Sequence, residues 1–231
     1  MNRSASSCCS FDLHTKQRSA AILYRLREGC SWRSLSIFAP YTTIYGWWKL
    51  WSDSGLWDRI LAKASEGAGG KLFGIDSTCA KVHKHGLCHR QCADNQYIAR
   101  TRGGANTKVH AIVDARGRPI RIILSAGTTH DSLLAGELVE RLTDRTILAD
   151  KAYDTDAFRA LLEESNLGAC IPPKANRKNP AKYNKGYYKK RHRVENFFQK
   201  IKEFRAVATR YEKLDSRFRS FCVLASIIQW I

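Results

Sequence analysis

Leu72-Phe73-Gly74-Ile75-Asp76 is a short apolar run that ends on a carboxylate, and Ile147-Leu148-Ala149-Asp150 repeats the pattern later in the chain. Apolar runs of this length, bounded by polar residues, read as buried strands. A carboxylate at the end of a buried strand is unfavourable unless a cation meets it. A third acid, Glu195, closes the segment Tyr188-Lys189-Lys190-Arg191-His192-Arg193-Val194-Glu195, inside a helical pattern that runs on to Lys202. The chain carries 39 Lys and Arg against 21 Asp and Glu, a net charge of +18. Acids held in such places by so basic a chain point to a metal site that works on a polyanion, because clustered cations release counterions from phosphates.

With 231 residues, 44% of them hydrophobic, the chain can bury the core of one large domain or two smaller ones. No apolar stretch reaches the roughly 18 residues of a membrane span. Met1 to Ser19 has no apolar signal region. A cytoplasmic, nucleoid-associated protein with no membrane partner is expected. The eight cysteines (8, 9, 30, 79, 88, 92, 170 and 222) are scattered, which excludes a disulfide framework and favours reduced thiols. No internal repeat is present.

Residues 1–19 are polar and without period, and read as a disordered or truncated tail. Residues 20–66 read as a helical DNA-binding domain. Ser31 caps a second helix that Pro40 ends. Ile44, Trp47, Trp48 and Trp51 fall at helical spacing and form its core. That leaves Thr42, Thr43, Tyr45 and Lys49 on the opposite face, where a helix-turn-helix unit contacts DNA. Gly67-Ala68-Gly69-Gly70 marks the boundary. Residues 71–231 form the catalytic domain. Strands are predicted over Leu72–Lys84, Thr107–Asp114, Pro119–Ser125, Arg145–Asp150 and Gly168–Pro172. Helices are predicted over Asp131–Leu142, Asp156–Ser165, Arg191–Arg210 and Phe218–Trp230. Gly86–Gly104 and Asn176–Lys190 are basic loops. This order is an α/β chain with a mixed sheet flanked by helices. Asp76 and Asp150 meet only if the fourth strand pairs beside the first, which is the ribonuclease-H-like arrangement.

A helix turns about 100° per residue. Tyr188, Arg191, Glu195 and Lys202 therefore share one stripe if the helix begins by Tyr188. Val194, Phe197, Phe198, Ile201 and Phe204 lie about a third of a turn away and would pack on the sheet.

Tyr188-x2-Arg191-x3-Glu195-x6-Lys202 resembles the signature of DDE transposases from bacterial insertion sequences. Leu148-Ala149-Asp150-Lys151-Ala152-Tyr153-Asp154 resembles their second-acid motif, with Ala152 where the family often has Gly. Ile75-Asp76-Ser77-Thr78 resembles the first, and Arg102–Ala111 the segment after it. The likeness is to the "IS five" group. It runs over about residues 21–231, taking in Leu23-Tyr24, Gly29-Cys30-x-Trp32-Arg33 and Gly55-x-Trp57 of its N-terminal helices.

The resemblance implies metal-dependent strand cleavage at transposon ends and strand transfer into target DNA. Asp76, Asp150 and Glu195 would be the catalytic acids and the ligands of two Mg²⁺ ions, with Mn²⁺ able to substitute. Tyr188, Arg191 and Lys202 would hold DNA phosphates. The implied partners are double-stranded DNA, as terminal inverted repeats and target, and a second copy of the chain on that DNA. Met1 to Ser19 does not resemble the family. The alternative is therefore a truncated, inactive transposase-derived DNA-binding protein. A different ribonuclease-H-like nuclease, such as a resolvase, is disfavoured by the Tyr-Arg-Glu-Lys helix.

Other residues have blander readings. His83, His85, Cys88, His89 and Cys92 have a tolerable zinc spacing but lack a paired second half. Asp114 begins a turn and Asp131 caps a helix. Asp154 and Asp156 lie near the second motif. His110 is a core histidine rather than a ligand, and Cys79 and Cys170 are core thiols. The basic loop Lys174–Lys190 contacts the DNA backbone.

Overall fold

The tryptophan stripe organises the front of the molecule. The computed structural model describes residues 5–87 and 96–231. Helix α1 spans Ala5–Glu28, so residues 5–19, expected as a tail, begin a helix instead. A 3-10 turn, Trp32–Ile37, follows, capped by the Ser31 side chain, which accepts from the Ser34 N–H. Helix α2 spans Tyr41–Asp53 and α3 spans Leu56–Ser65. Gly55 breaks the two apart at φ 64, a left-handed turn that glycine enters without a steric penalty. Ile44 and Trp48 are fully buried, whereas Trp47 and Trp51 are only partly so.

Strand β1, Leu72–Val82, is followed by a short 3-10 turn, Lys84–Gly86. The other strands are β2 (Ala99–Thr101), β3 (Gly104–Val113), β4 (Pro119–Ala126), β5 (Thr146–Leu148), β6 (Gly168–Cys170) and β7 (Thr209–Arg210). The main path of the sheet runs β2-β3-β1-β5-β6, with β4 on β3 and β7 on β1. β1 and β3 are antiparallel, while β5 lies parallel beside β1 with Gly74 opposite Leu148. The expected pairing of the fourth predicted strand, here the short β5, with the first is therefore present. β2 and β7 are additions to the predicted set.

The helix predicted over Asp131–Leu142 divides into a 3-10 turn, Asp131–Leu133, and α4, Ala135–Val139. α5 spans Asp156–Glu164, and α6 spans Lys185–Tyr188. A 3-10 turn, Lys189–Arg191, joins α6 to α7, His192–Lys202. The backbone stays right-handed helical through this joint, so Tyr188 and Glu195 remain on one continuous coil. The long helix predicted to Arg210 ends early. Phe204 turns out of helical conformation, α8 is only Arg205–Ala208, and the chain then enters β7. The cause is Arg210, which is fully buried. Its guanidinium donates to the carbonyls of Gln96, Glu212 and Lys213 and to Thr107 Oγ1, all at 2.8–2.9 Å. Those acceptors are reached by pairing with β1, and tertiary satisfaction overrides helix propensity there. α9 spans Asp215–Ile228.

Side chains alternate across β1. Phe73 and Ile75 enter a core with Ile112, Ile123, α4 and α5. Ala80 faces the other way, into a core with α7 and α9. That second core also contains Ala21, Ile22, Leu26, Leu35, Ile44, Trp48 and Leu61 from the first three helices. Trp48 stacks on Phe221 of α9 at 4.1 Å between ring centroids. Arg25 of α1 pairs with Glu212, just before α9. The helical segment and one face of the sheet are thus packed through a shared core. α7 packs over β1 at Gly74, where a Cβ would make ordinary contact with Val194 at 3.4 Å.

Candidate active site

Asp76 stands on the α7 face of β1, two residues beyond Gly74. Val194 of α7 packs over Gly74, and the strand's alternation aims Asp76 at the same helix. Arg191 Nη1 donates to Asp76 Oδ2 at 3.0 Å. The same guanidinium pairs with Glu195 one turn along the helix. The second oxygen of Asp76 accepts the Ser77 N–H at 2.8 Å. Lys202, from the end of α7, donates to Thr78 Oγ1 at 2.5 Å. Tyr188 is half-buried, and the Arg191 guanidinium lies 5.7 Å from its ring centroid.

Asp150 follows β5, which neighbours β1. Its Oδ1 accepts the Ala152 N–H at 2.8 Å, capping the 3-10 turn Lys151–Tyr153. Burial raises the Asp76 carboxyl above the usual aspartate range, and the negative charges of Asp150 and Glu195 push the same way. The Ser77 N–H and Arg191 pull it down, but less. Asp150 and Glu195 thus both bear electrostatically on Asp76, with the Arg191 fork bridging Asp76 and Glu195. Tyr153 is fully buried beneath them, and its hydroxyl has no hydrogen-bond partner among the described residues. Burial and the charges of Asp131, Asp76 and Asp150 all oppose its ionisation.

The donor chemistry suits a hard divalent cation, since the three side chains offer only carboxylate oxygens. The Asp76 carboxyl is raised chiefly by burial, which the Ser77 N–H and Arg191 do not fully offset. Among the described residues, however, no group of three or more His, Cys, Asp or Glu side chains is drawn together closely enough to hold one ion. Arg191 sits between Asp76 and Glu195 and pairs with both.

Behind the strand lies a second polar cluster that the sequence did not disclose. Asp131 does not cap its helix; His130 does, accepting from the Ser132 N–H. Asp131 Oδ1 instead accepts from Ser77 Oγ at 2.7 Å and lies 3.0 Å from Lys108 Nζ. His110 is fully buried, and its Nε2 is 2.7 Å from Ser125 Oγ. Burial depresses its imidazole to about 4, so it is neutral at physiological pH. Ser125, His110 and Asp131 follow in the order of a nucleophile relay. Ser125 is only 4% exposed, so no substrate reaches it. The one advance signal was position: Asp131 follows directly on the turn after β4.

Asp114 does form its turn, accepting from the N–H groups of Arg116 and Arg118. Asp154 is buried against Arg159 at 2.7 Å and Arg177 at 3.0 Å, and it accepts the Lys174 N–H at 2.8 Å. It anchors the start of the basic loop. Asp156 pairs with Arg177 at 2.6 Å. Cys79, expected in the core, is exposed, because its side chain emerges near the far end of β1; Cys170 is buried. His83 Nδ1 accepts the His85 N–H at 3.3 Å, while Cys88, His89 and Cys92 lie outside the described residues. Thr42, Thr43, Tyr45 and Lys49 are exposed on α2, with Tyr45 edge-on to Trp32 at 5.0 Å. No described helix is long and apolar enough to cross a membrane.

Residues 68–230 match the family described as "Transposase DDE domain", and residues 12–61 match "Putative transposase of IS4/5 family". A curated relative from Brucella ovis, "Putative transposase for insertion sequence element IS6501", is 39% identical over 128 residues, covering 54% of this chain and 98% of the relative. Among solved structures, the chain is similar to a piggyBac transposase synaptic complex with hairpin DNA, at TM-score 0.49 and 13% identity, over 85% of this chain and 52% of that one. It is also similar to a Mos1 transposase paired-end complex with left transposon end, at TM-score 0.30 and 10% identity, over 80% of this chain and 77% of that one.

Proposed function

We propose, from the premise that this chain belongs to the DDE transposase family of insertion sequences, that Asp76, Asp150 and Glu195 carry its DNA cleavage and strand transfer. The observation that supports these three residues is the Arg191 fork joining Asp76 to Glu195, with Asp150 two residues beyond the end of the neighbouring parallel strand. Cleavage and transfer place negative charge on the attacking and leaving oxygens. Bound Mg²⁺, with Mn²⁺ as a substitute, would supply positive charge against both. Asp76, Asp150 and Glu195 would hold two such ions.

The chain's own residues do the rest. Arg191 and Lys202 present cations beside the acids, and Tyr188 presents a hydroxyl; together they hold the phosphates flanking the scissile bond. The basic loop beginning at Lys174 follows the DNA backbone. Thr42, Thr43, Tyr45 and Lys49 on α2 engage the terminal inverted repeat. The substrate is double-stranded DNA, as transposon end and as target, and two copies of the chain act on it together at the bacterial nucleoid. Residues 20–66 serve recognition and residues 71–231 serve chemistry.

The test is cleavage of a labelled terminal-repeat duplex in Mg²⁺. Asp76→Asn, Asp150→Asn and Glu195→Gln should each abolish nicking and retain the gel shift. Nicking at the wild-type rate by any of the three removes that residue from the assignment. A wild-type chain that shifts the duplex and never nicks it favours the inactive DNA-binding alternative.

A further inference from the structure

We infer that Ser77 and Asp131 form a positioning pair that fixes the Asp76 carboxylate from the opposite face of the sheet. This rests on the reading of Asp76 as a cation-holding acid. Ser77 uses both its polar groups. Its backbone N–H donates to Asp76 Oδ1 at 2.8 Å, and its hydroxyl donates to Asp131 Oδ1 at 2.7 Å. Asp76 and Ser77 point to opposite faces because they are consecutive in β1. A contact behind the sheet is thereby linked, through one residue, to the orientation of the carboxylate in front.

The rear cluster is built to hold still. Lys108 Nζ lies 3.0 Å from Asp131 Oδ1 and donates to the Thr129 carbonyl at 2.6 Å, tying Asp131 to the turn that carries it. His110 stands opposite Ser77 in the β1–β3 ladder, fully buried and locked to Ser125. Its Nδ1 lies 3.9 Å from Asp131, closing the far side. A bland ion pair between Lys108 and Asp131 would not involve Ser77, yet the same Asp131 oxygen accepts the serine hydroxyl at 2.7 Å, an ordinary length for such a bond. The side chains of Ser77 and Asp131 bond to each other and not to Asp76, so their role is positioning. Groups that hydrogen-bond a metal ligand directly change cation affinity by about 10–100-fold when removed; the Ser77 hydroxyl acts one step further out, through the placement of its own backbone N–H, so the low end of that range is expected.

The experiment uses the full chain without DNA, titrated with MnCl₂, and reads the concentration that gives half of the maximal rise in Tm. Ser77→Ala should raise that concentration about tenfold, and Ser77→Thr, which restores the hydroxyl, should return it to the wild-type value. Asp131→Asn keeps an acceptor oxygen for Ser77 and should fall between the two. Terminal-repeat cleavage should follow the same order as the Mn²⁺ midpoints. Wild-type midpoint and cleavage in Ser77→Ala overturn the pair, as does a Ser77→Thr variant no better than Ser77→Ala. Asp76→Asn separates the two levels of inference. If it leaves the Mn²⁺ response intact, the cation-holding reading of Asp76 has failed and the pair falls with it. If it removes the response while Ser77→Ala does not shift it, the pair alone is wrong.

Discussion

Arg191 Nη1 lies 3.0 Å from Asp76 Oδ2, although 115 residues separate them in the chain, and the other arm of its fork meets Glu195. A planar guanidinium serves two carboxylates at once, which the single ammonium of lysine does less well. Arg191→Ala leaves both acids without their counterion. The metal-free protein should lose about 1–3 kcal/mol at neutral pH, the range for a charged partner removed from a half-buried site. Added Mn²⁺ should narrow the Tm gap to wild type, because the cation takes over the missing positive charge. A gap that widens on adding Mn²⁺ would show that Arg191 organises the acids rather than balancing them.

The raised Asp76 carboxyl gives a pH dependence with a definite sign. The folded protein holds that proton more tightly than the unfolded chain does. Its contribution to stability is therefore complete below the unfolded aspartate pKa, and it is lost as pH rises through the higher folded value. Above that folded value the ionised carboxylate is a net burden on the metal-free fold. Asp76→Asn should accordingly raise the metal-free Tm at pH 7 and give a smaller gain at pH 4, while abolishing cleavage. For a chain of this size each kcal/mol relieved is about 2–4 °C. Calorimetry at the two pH values, without divalent cations, decides it; a lower Tm for the variant at pH 7 contradicts the sign.

The strands that lead to Asp76 and Asp150 and the helix that carries Glu195 were legible because each rests on a local pattern. The apolar runs ending at Asp76 and Asp150 fix two strands, and the 3.6-residue period around Val194, Phe197, Phe198 and Ile201 fixes α7, all four of which are buried. The end of α7 was not legible, because it depends on where the buried Arg210 finds its acceptors, more than 100 residues away in two cases. Asp131 was misread for a similar reason. An acid at the start of a helical segment has an ordinary local explanation, and only the folded sheet brings it to Ser77. The face of α2 was readable from tryptophan spacing, but not the fact that Trp48 rests on Phe221, which lies in the last helix.

Lys202 donates to Thr78 beside Asp76 and is only partly buried, so one of its remaining donors can meet a phosphate. Lys202→Ala should weaken binding of terminal-repeat DNA and lower the slope of log K against log salt by about 0.9, the contribution of one phosphate contact. The loss should be the same for unrelated duplex sequences, because a phosphate contact carries no base information. Lys49→Ala on α2 provides the comparison, since it should leave the Mn²⁺ response of the free protein unchanged. A salt slope identical to wild type in Lys202→Ala would remove that residue from the DNA path.

The shared core predicts how the molecule unfolds. Trp48 of α2 and Phe221 of α9 are both fully buried and stack with an interplanar angle of 21°. Each sits in the same hydrophobic cluster as Val109 and Ala111 of β3. Removing the indole should destabilise the whole chain by about 3–5 kcal/mol, which lowers Tm by about 6–20 °C at this size. Because the helical segment has no separate core, the loss should appear as a shift of one transition rather than as early melting of residues 20–66. The pair should also be non-additive: a double-mutant cycle with Phe221→Leu should return a coupling of about 0.5–1.5 kcal/mol for the stacked rings. Fluorescence of the remaining tryptophans and far-ultraviolet circular dichroism, followed together through a urea titration, make the measurement. Two separated transitions in Trp48→Ala, with the sheet melting at the wild-type midpoint, would mean that the helices and the sheet fold as independent units.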